Sequence, residues 1–194
     1  FRRVLFRSNP HFMMLALASG IPFNGMFLYV LSAPVWLGEI LKLQPTQFFW
    51  FFIFSVGGIM SGAWCSGRLA GRVRPRQQVR WGFLVIGGAS LANVVLNALV
   101  EPHAAWAIAP VAAYSFGWSL LTPVVTLLVI DQAPERRGMA ASVQSSIGSS
   151  ANALVAGVLA PLVMHSTLGL ALASFGLMAT GLLAWTWVKR QVTV

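Results

Sequence analysis

Polar and aromatic side chains recur at helical spacing inside two of the long apolar stretches of this sequence. In one stretch they are Tyr114, Trp118, Thr122 and Thr126. Because steps of four residues drift slowly around a helix, these side chains share one face. Such a face could bind an amphipathic molecule by stacking and hydrogen bonding, and Pro123 would permit a bend by removing a backbone hydrogen bond. Alternatively, the same groups hydrogen-bond to neighbouring helices in a static bundle.

The first apolar stretch carries a second polar face, with Asn24 and Ser32 on the same side of a helix and Tyr29 close by. Pro22 and Pro34 leave two backbone carbonyl groups of this helix without their usual donors. We therefore predict that this helix also lines a cavity. Asn24 is expected either to contact a bound molecule or to bridge to another helix.

Other stretches carry small residues at spacings of three and four. Small side chains let neighbouring backbones approach closely, so we predict that these faces serve helix packing. The predicted packing residues are Gly58, Gly62, Ser145 and Ser149. Asn93 and Asn97 share a face of another stretch, and we expect them to tie that helix to a neighbour or, alternatively, to face a cavity.

The composition places these helices in a lipid bilayer. Hydrophobic residues make up 57% of the chain and charged residues 9%, against roughly 25% charged residues in a soluble domain. Six apolar stretches reach the length of about 20 residues that a spanning helix needs. We predict an all-α fold with spans at 12–37, 47–69, 81–100, 105–130, 139–164 and 168–188.

The cationic residues fall at alternate ends of these spans. Four clusters hold all of the 13 Lys and Arg except Lys42. Because cationic loops are retained in the cytoplasm, the clusters predict six crossings of a bacterial inner membrane, with both termini cytoplasmic. The formal charge of +9 lies beside the membrane and not along a soluble face, which excludes nucleic acid as a partner. The clusters are 2–7, 68–80, 136–137 and 189–190.

The predicted spans lack several kinds of chemistry. No Asp, Glu, Lys, Arg or His lies near the middle of a span, so no side chain there can bind and release a proton. Cys65 is the only cysteine and has no His nearby, which predicts neither a disulfide nor a metal site. An intramembrane serine protease would need a His facing an embedded Ser, whereas the three His lie at span ends. We expect no enzyme activity, no metal and no cofactor.

Two acidic residues on the predicted cytoplasmic side lie where the fourth span ends, opposite the arginine-rich loop. Ion pairs across these loops could latch the ends of neighbouring helices in one conformation and break in another. The alternative is a screened surface network worth about 0 to 1 kcal/mol per pair. The candidate latch residues are Arg68, Arg72, Asp131, Glu135, Arg136 and Arg137.

Two loops resemble those of a known family. The loop 67–76, with sequence GRLAGRVRPR, resembles the G-x-L-A-D-R-x-G-R-R loop of the major facilitator superfamily, with Gly71 where the family has Asp and Arg74 where it has Gly. The stretch 131–142 is similar to the loop between helices ten and eleven of these transporters. Together with Ser32-Ala33-Pro34 and Gln144-Ser145-Ser146, it resembles the Bcr/CflA branch of drug efflux antiporters.

The resemblance implies the C-terminal half of a twelve-helix transporter, whose N-terminal six-helix half lies outside this chain. It also implies that spans one and four line the substrate cavity and that the halves rock to give alternating access. The expected partners are membrane lipids, the N-terminal half, an amphipathic drug and protons, with the proton-binding carboxylate on the other half. The alternatives are an exporter of a sugar, amino acid or siderophore, or a self-contained six-helix scaffold.

The domain prediction has three parts. Residues 1–8 form a basic segment whose composition differs from that of the apolar spans, and we expect a non-native or linker stub there. Residues 9–190 are predicted to form the transmembrane domain, and residues 191–194 a cytoplasmic tail.

Overall fold

Six long helices make up most of residues 10–191, the part of the chain that this computed structural model describes. With their short extensions, all six are long and apolar enough to cross a membrane, and the described residues contain no strand. The predicted all-α membrane fold with six spans is therefore confirmed. The helices are α1 (Pro10–Ala33), α2 (Phe49–Leu69), α3 (Pro75–Leu99), α4 (Ala104–Asp131), α5 (Arg137–Leu154) and α6 (Thr167–Gln191).

Proline residues shape the ends of two helices. Helix α1 continues as a π-helical segment, Pro34–Ile40, and α5 continues through a π-helical segment, Val155–Leu159, into a last turn, Ala160–Val163. Pro34 and Pro161 donate no backbone hydrogen bond, so the regular ladder is interrupted beside each of them. By contrast, α4 remains one helix across Pro123.

The predicted boundaries agree with the helices to within a few residues, except at the start of α3. That helix begins at Pro75, so Arg76 and Arg80 lie on its first turns and not in the preceding loop. Proline is favoured at the first helical position, and long arginine side chains can extend from a helix end to water. The stub 1–8 and residues 192–194 lie outside the described residues.

Helix α4 lies at the centre of the bundle. It packs most extensively against α2 and α3 and also contacts α1 and α5, while α1 packs mainly against α6. The α2 and α4 backbones lie so close together that a Cβ at Gly58 or at Gly62 would overlap a backbone carbonyl oxygen of α4. These two glycines therefore lie where the α2 and α4 backbones meet.

Two hydrogen-bonded side chains also join the helices around α4. The buried Gln78 amide on α3 donates to Ser66 Oγ on α2, at 2.7 Å, and to the carbonyl oxygen of Leu120 on α4, at 3.0 Å. Ser119 Oγ donates to the carbonyl oxygen of Ile59 on α2, at 2.7 Å. Since lipid offers no alternative partners, these bonds specify how the three helices meet.

Candidate functional site

A polar network joins α1, α4 and α5. The Gln144 side-chain amide donates to Ser19 Oγ at 2.8 Å and to Thr126 Oγ1 at 3.3 Å. Ser19 Oγ in turn donates to the carbonyl oxygen of Ala16 at 2.9 Å. The network therefore places one predicted cavity residue, Thr126, beside two residues that the sequence did not single out as site residues.

An aromatic cluster lies on the same face of α4, about two turns away. The ring of Trp118 lies 5.0 Å from that of Phe23 on α1, and Phe23 stacks on Phe27 at 5.4 Å. Trp118 is half-buried, and among the described residues its buried indole N–H has no hydrogen-bond partner. The half-buried Thr122 donates to the carbonyl oxygen of Trp118 at 2.7 Å. This cluster can offer a ligand aromatic surface.

The two tyrosines of the predicted cavity lie deeper, inside the bundle. The Tyr114 hydroxyl donates to the carbonyl oxygen of Pro22 on α1 at 2.6 Å, and it fills the space beside Gly25. The Tyr29 hydroxyl accepts a hydrogen bond from the Asn93 amide on α3 at 2.6 Å. The expected tie to a neighbouring helix is thereby confirmed for Asn93, whereas the Asn97 amide donates to the carbonyl oxygen and Oδ1 of Asn93 on its own helix.

Asn24 and Ser32 are also buried within the bundle. The Asn24 amide nitrogen donates to the carbonyl oxygen of Gly20 on its own helix, at 3.2 Å. Among the described residues, Asn24 Oδ1 and Ser32 Oγ have no hydrogen-bond partner. The structure therefore separates the seven predicted cavity residues into two groups. Asn24, Tyr29, Ser32 and Tyr114 are enclosed by helices, whereas Trp118, Thr122 and Thr126 lie on a partly open face.

Helix α5 carries a row of exposed serines. Its hydroxyls bond mainly to their own helix, as Ser142 does to the carbonyl oxygen of Gly138 and Ser146 to that of Ser142, both at 2.9 Å. Ser145 and Ser149, which were predicted to serve packing, lie on the surface of the described bundle. The contact of α5 with α1 instead involves Gly148, whose Cα would lie 3.4 Å from a Cβ at Gly20.

The candidate latch residues lie at the arginine-rich end of the bundle. Asp131 pairs with Arg137 at 3.4 Å, with both side chains more than half exposed. The Arg68 guanidinium lies 4.7 Å from the centre of the Trp64 ring. Within residues 10–191, no ion pair joins Asp131 or Glu135 to Arg68 or Arg72. In this conformation, Asp131 is therefore held by the first residue of α5.

The described residues contain no group of three or more His, Cys, Asp or Glu side chains that could hold a metal ion. Cys65 is a free, half-buried thiol on α2.

The family model described as the Major Facilitator Superfamily matches residues 2–156, which include α1 to α4 and all of α5. No curated protein matches the chain.

Proposed function

The chain belongs to the major facilitator superfamily and is a membrane transporter, and we propose that it forms the C-terminal half of a proton-coupled exporter of amphipathic drugs. In this proposal the chain works by alternating access in a bacterial inner membrane, with its arginine-rich loops in the cytoplasm. The Bcr/CflA branch is the part of the superfamily that its loops resemble most.

The exposed polar face of α5 is the observation that supports a second half. Ser142, Ser145, Ser146 and Ser149 lie on the surface of a helix that is long enough to span the membrane. Polar side chains within a bilayer normally face protein or a water-filled cavity and not lipid. A second six-helix unit facing α5 across a water-filled cavity would satisfy this requirement, and we propose that this cavity also includes the partly open face of α1 and α4.

The substrate class follows from the side chains of the aromatic cluster and of the polar network that joins α1, α4 and α5. Phe23, Phe27 and Trp118 offer aromatic surface, while Thr122 and Gln144 add a few polar groups. Predominantly apolar sites with few polar groups suit amphipathic ligands that carry a planar ring. We therefore propose that Trp118, Thr122 and Thr126 contact the drug directly. Tyr29, Tyr114, Asn24 and Ser32 would reach it only after the helices separate.

Proton coupling is assigned to the other half. The acids of this chain are Glu39, Glu101, Asp131 and Glu135, and each lies at or beyond the end of a long helix. A coupling carboxylate is expected near the middle of the membrane, where protonation can change with the conformation. The antiport step would therefore depend on a carboxylate contributed by the N-terminal half.

The latch is proposed to work by an exchange of partners. Asp131 pairs with Arg137 in the described conformation. In the opposite conformation of the transport cycle, we propose that Asp131 or Glu135 pairs with Arg68 or Arg72 at the end of α2. This exchange would favour alternate states while contributing little to overall stability, because exposed pairs are worth about 0 to 1 kcal/mol.

A transport assay tests the proposed function. The chain would be coexpressed with the six-helix segment encoded immediately upstream, and both would be reconstituted in liposomes with an imposed pH gradient. We expect movement of a fluorescent amphipathic cation against proton flow, abolished by a protonophore. Transport of only a sugar, amino acid or siderophore would overturn the drug assignment. Absence of upstream spans would overturn the two-half arrangement.

A further inference from the structure

A basic groove runs along the outside of the bundle, where α3 begins and α6 ends. Its volume is about 700 Å³. It is lined by Arg74, Arg76, Gln77, Arg80, Trp81, Phe83, Leu84, Leu182, Trp185, Thr186 and Lys189. The groove lies away from the aromatic cluster on α1 and α4, so the substrate face does not account for it.

The arginines of the basic groove have no acidic partner within the described part of the chain. No carboxylate there pairs with Arg74, Arg76 or Arg80. Asp131, the last residue of α4, pairs with Arg137. Lys189 adds a fourth cationic side chain to the lining. The groove also lies at the N-terminal end of α3, where the helix dipole adds positive potential. These features favour an anionic ligand.

The other lining residues indicate that this anion carries hydrocarbon. Trp81 is partly exposed next to the cationic side chains, and exposed tryptophan is typical of the level where lipid headgroups meet acyl chains. Deeper in the membrane, Leu84 and Leu182 continue the groove. Leu84 is 61% exposed on the outer surface of the bundle. A soluble anion would use the cationic end alone, whereas a phospholipid would cover both ends.

We propose that the basic groove binds the phosphodiester headgroup of an anionic phospholipid, with its acyl chains along Leu84 and Leu182. Guanidinium groups bind phosphate oxygens through paired, charge-assisted hydrogen bonds, and basic pockets between membrane helices suit such headgroups. A smaller cavity of about 140 Å³ shares Arg76, Trp185 and Lys189 with the groove and extends to the start of α1 and the end of α4.

Native mass spectrometry of the full chain in detergent tests this proposal with two lipids of identical acyl chains. Phosphatidylglycerol should bind at least about fivefold more tightly than phosphatidylcholine, about the effect of one charge interaction. Both lipids carry a phosphodiester, but the choline cation neutralises it in phosphatidylcholine, so that only phosphatidylglycerol has a net negative charge. The double variant Arg76→Gln/Arg80→Gln should weaken phosphatidylglycerol binding about 30-fold, from about fivefold for each cation removed. The single variant Arg80→Gln, with an expected loss of about fivefold, provides the test if the double variant does not fold.

The matched control is Arg136→Gln/Arg137→Gln, which removes two arginines at the same end of the bundle but outside the groove. It should retain wild-type lipid binding. Equal binding of the two lipids, or an equal loss in the control, would overturn the proposal. Displacement of the lipid by inorganic phosphate at equal concentration would also overturn it, by identifying a soluble-anion site.

Discussion

The Trp118 ring on α4 lies 5.0 Å from the Phe23 ring on α1, at a tilt of 49°. This contact joins the two helices at the partly open face where the indole N–H has no partner among the described residues. It therefore places aromatic surface at the site that we assign to the drug.

Replacing Trp118 with Ala should change the drug resistance profile without preventing expression. Loss of one aromatic contact, worth about 0.5 to 1.5 kcal/mol, predicts a change of about two- to tenfold in the inhibitory concentration of ring-containing drugs. The measurement is growth inhibition of an efflux-deficient strain that carries both halves of the transporter. Trp106→Ala is the control, because Trp106 lies on the first turn of the same helix, outside the aromatic cluster, and is 55% exposed. Unchanged resistance to every exported compound in Trp118→Ala would count against the assignment.

Replacing Gly58 with Val should destabilise the α2–α4 contact, because a Cβ there would overlap the Ala112 carbonyl oxygen. Overpacking of this kind costs about 1 to 3 kcal/mol, which thermal unfolding in detergent can measure. Gly57→Val is the control, since a Cβ at Gly57 meets nothing within 4 Å. Equal stability of the two variants would show that α2 and α4 do not meet at this point.

Replacing Gln78 with Leu should lower the free energy of unfolding of the bundle by about 0.6 to 1.7 kcal/mol, from the average to the maximum measured for interhelical hydrogen bonds in membranes. The change removes the bonds to Ser66 Oγ and to the Leu120 carbonyl oxygen. Reversible unfolding in mixed detergent micelles gives the measurement. The control is Gln77→Leu, because Gln77 is exposed beside Gln78, and this change should leave stability nearly unchanged. A Gln78→Leu variant as stable as Gln77→Leu would contradict the described junction of α2, α3 and α4.

Replacing Asp131 with Asn should slow transport, because the neutral side chain cannot exchange ionic partners at the latch. Stability should change by less than about 1 kcal/mol, since both side chains of the Asp131–Arg137 pair are well exposed. The rate of drug efflux from preloaded cells gives the measurement. Glu101→Gln, which neutralises an acid at the opposite end of the bundle, should transport at the wild-type rate. A wild-type rate in Asp131→Asn would remove the latch from the mechanism.

Two features of the fold could be predicted from the sequence: the six spans and the close contact at Gly58 and Gly62. Both depend on properties of a single helix, namely the length of an apolar stretch and the spacing of small residues. The position of each polar face in the bundle could not be predicted. Periodicity indicates that Tyr114 and Trp118 lie on one helix face, but not that Tyr114 is enclosed against Pro22 while Trp118 stays partly open.

The network of Ser19, Thr126 and Gln144 could not be predicted for a related reason. These residues lie far apart in the sequence, and only the packing of α1, α4 and α5 brings them within hydrogen-bonding distance. The one available signal was that Gln144 is a large polar residue within an otherwise small-residue helix face. The predicted start of α3 lies too far along the chain. The apolar stretch begins only after Arg80, whereas the helix itself begins before it, at Pro75.

Water accessibility of the α5 serine row tests the central claim most directly. Cys65→Ser removes the only cysteine of the chain and provides a background for single cysteines at Ser149 and at Leu183, a residue 68% exposed on α6. In membranes containing both halves, we predict that a water-soluble maleimide labels Ser149→Cys, more slowly when drug is bound, and leaves Leu183→Cys unlabelled. Equal labelling of the two positions, or a Ser149→Cys rate unaffected by any exported drug, would contradict a substrate cavity on this face.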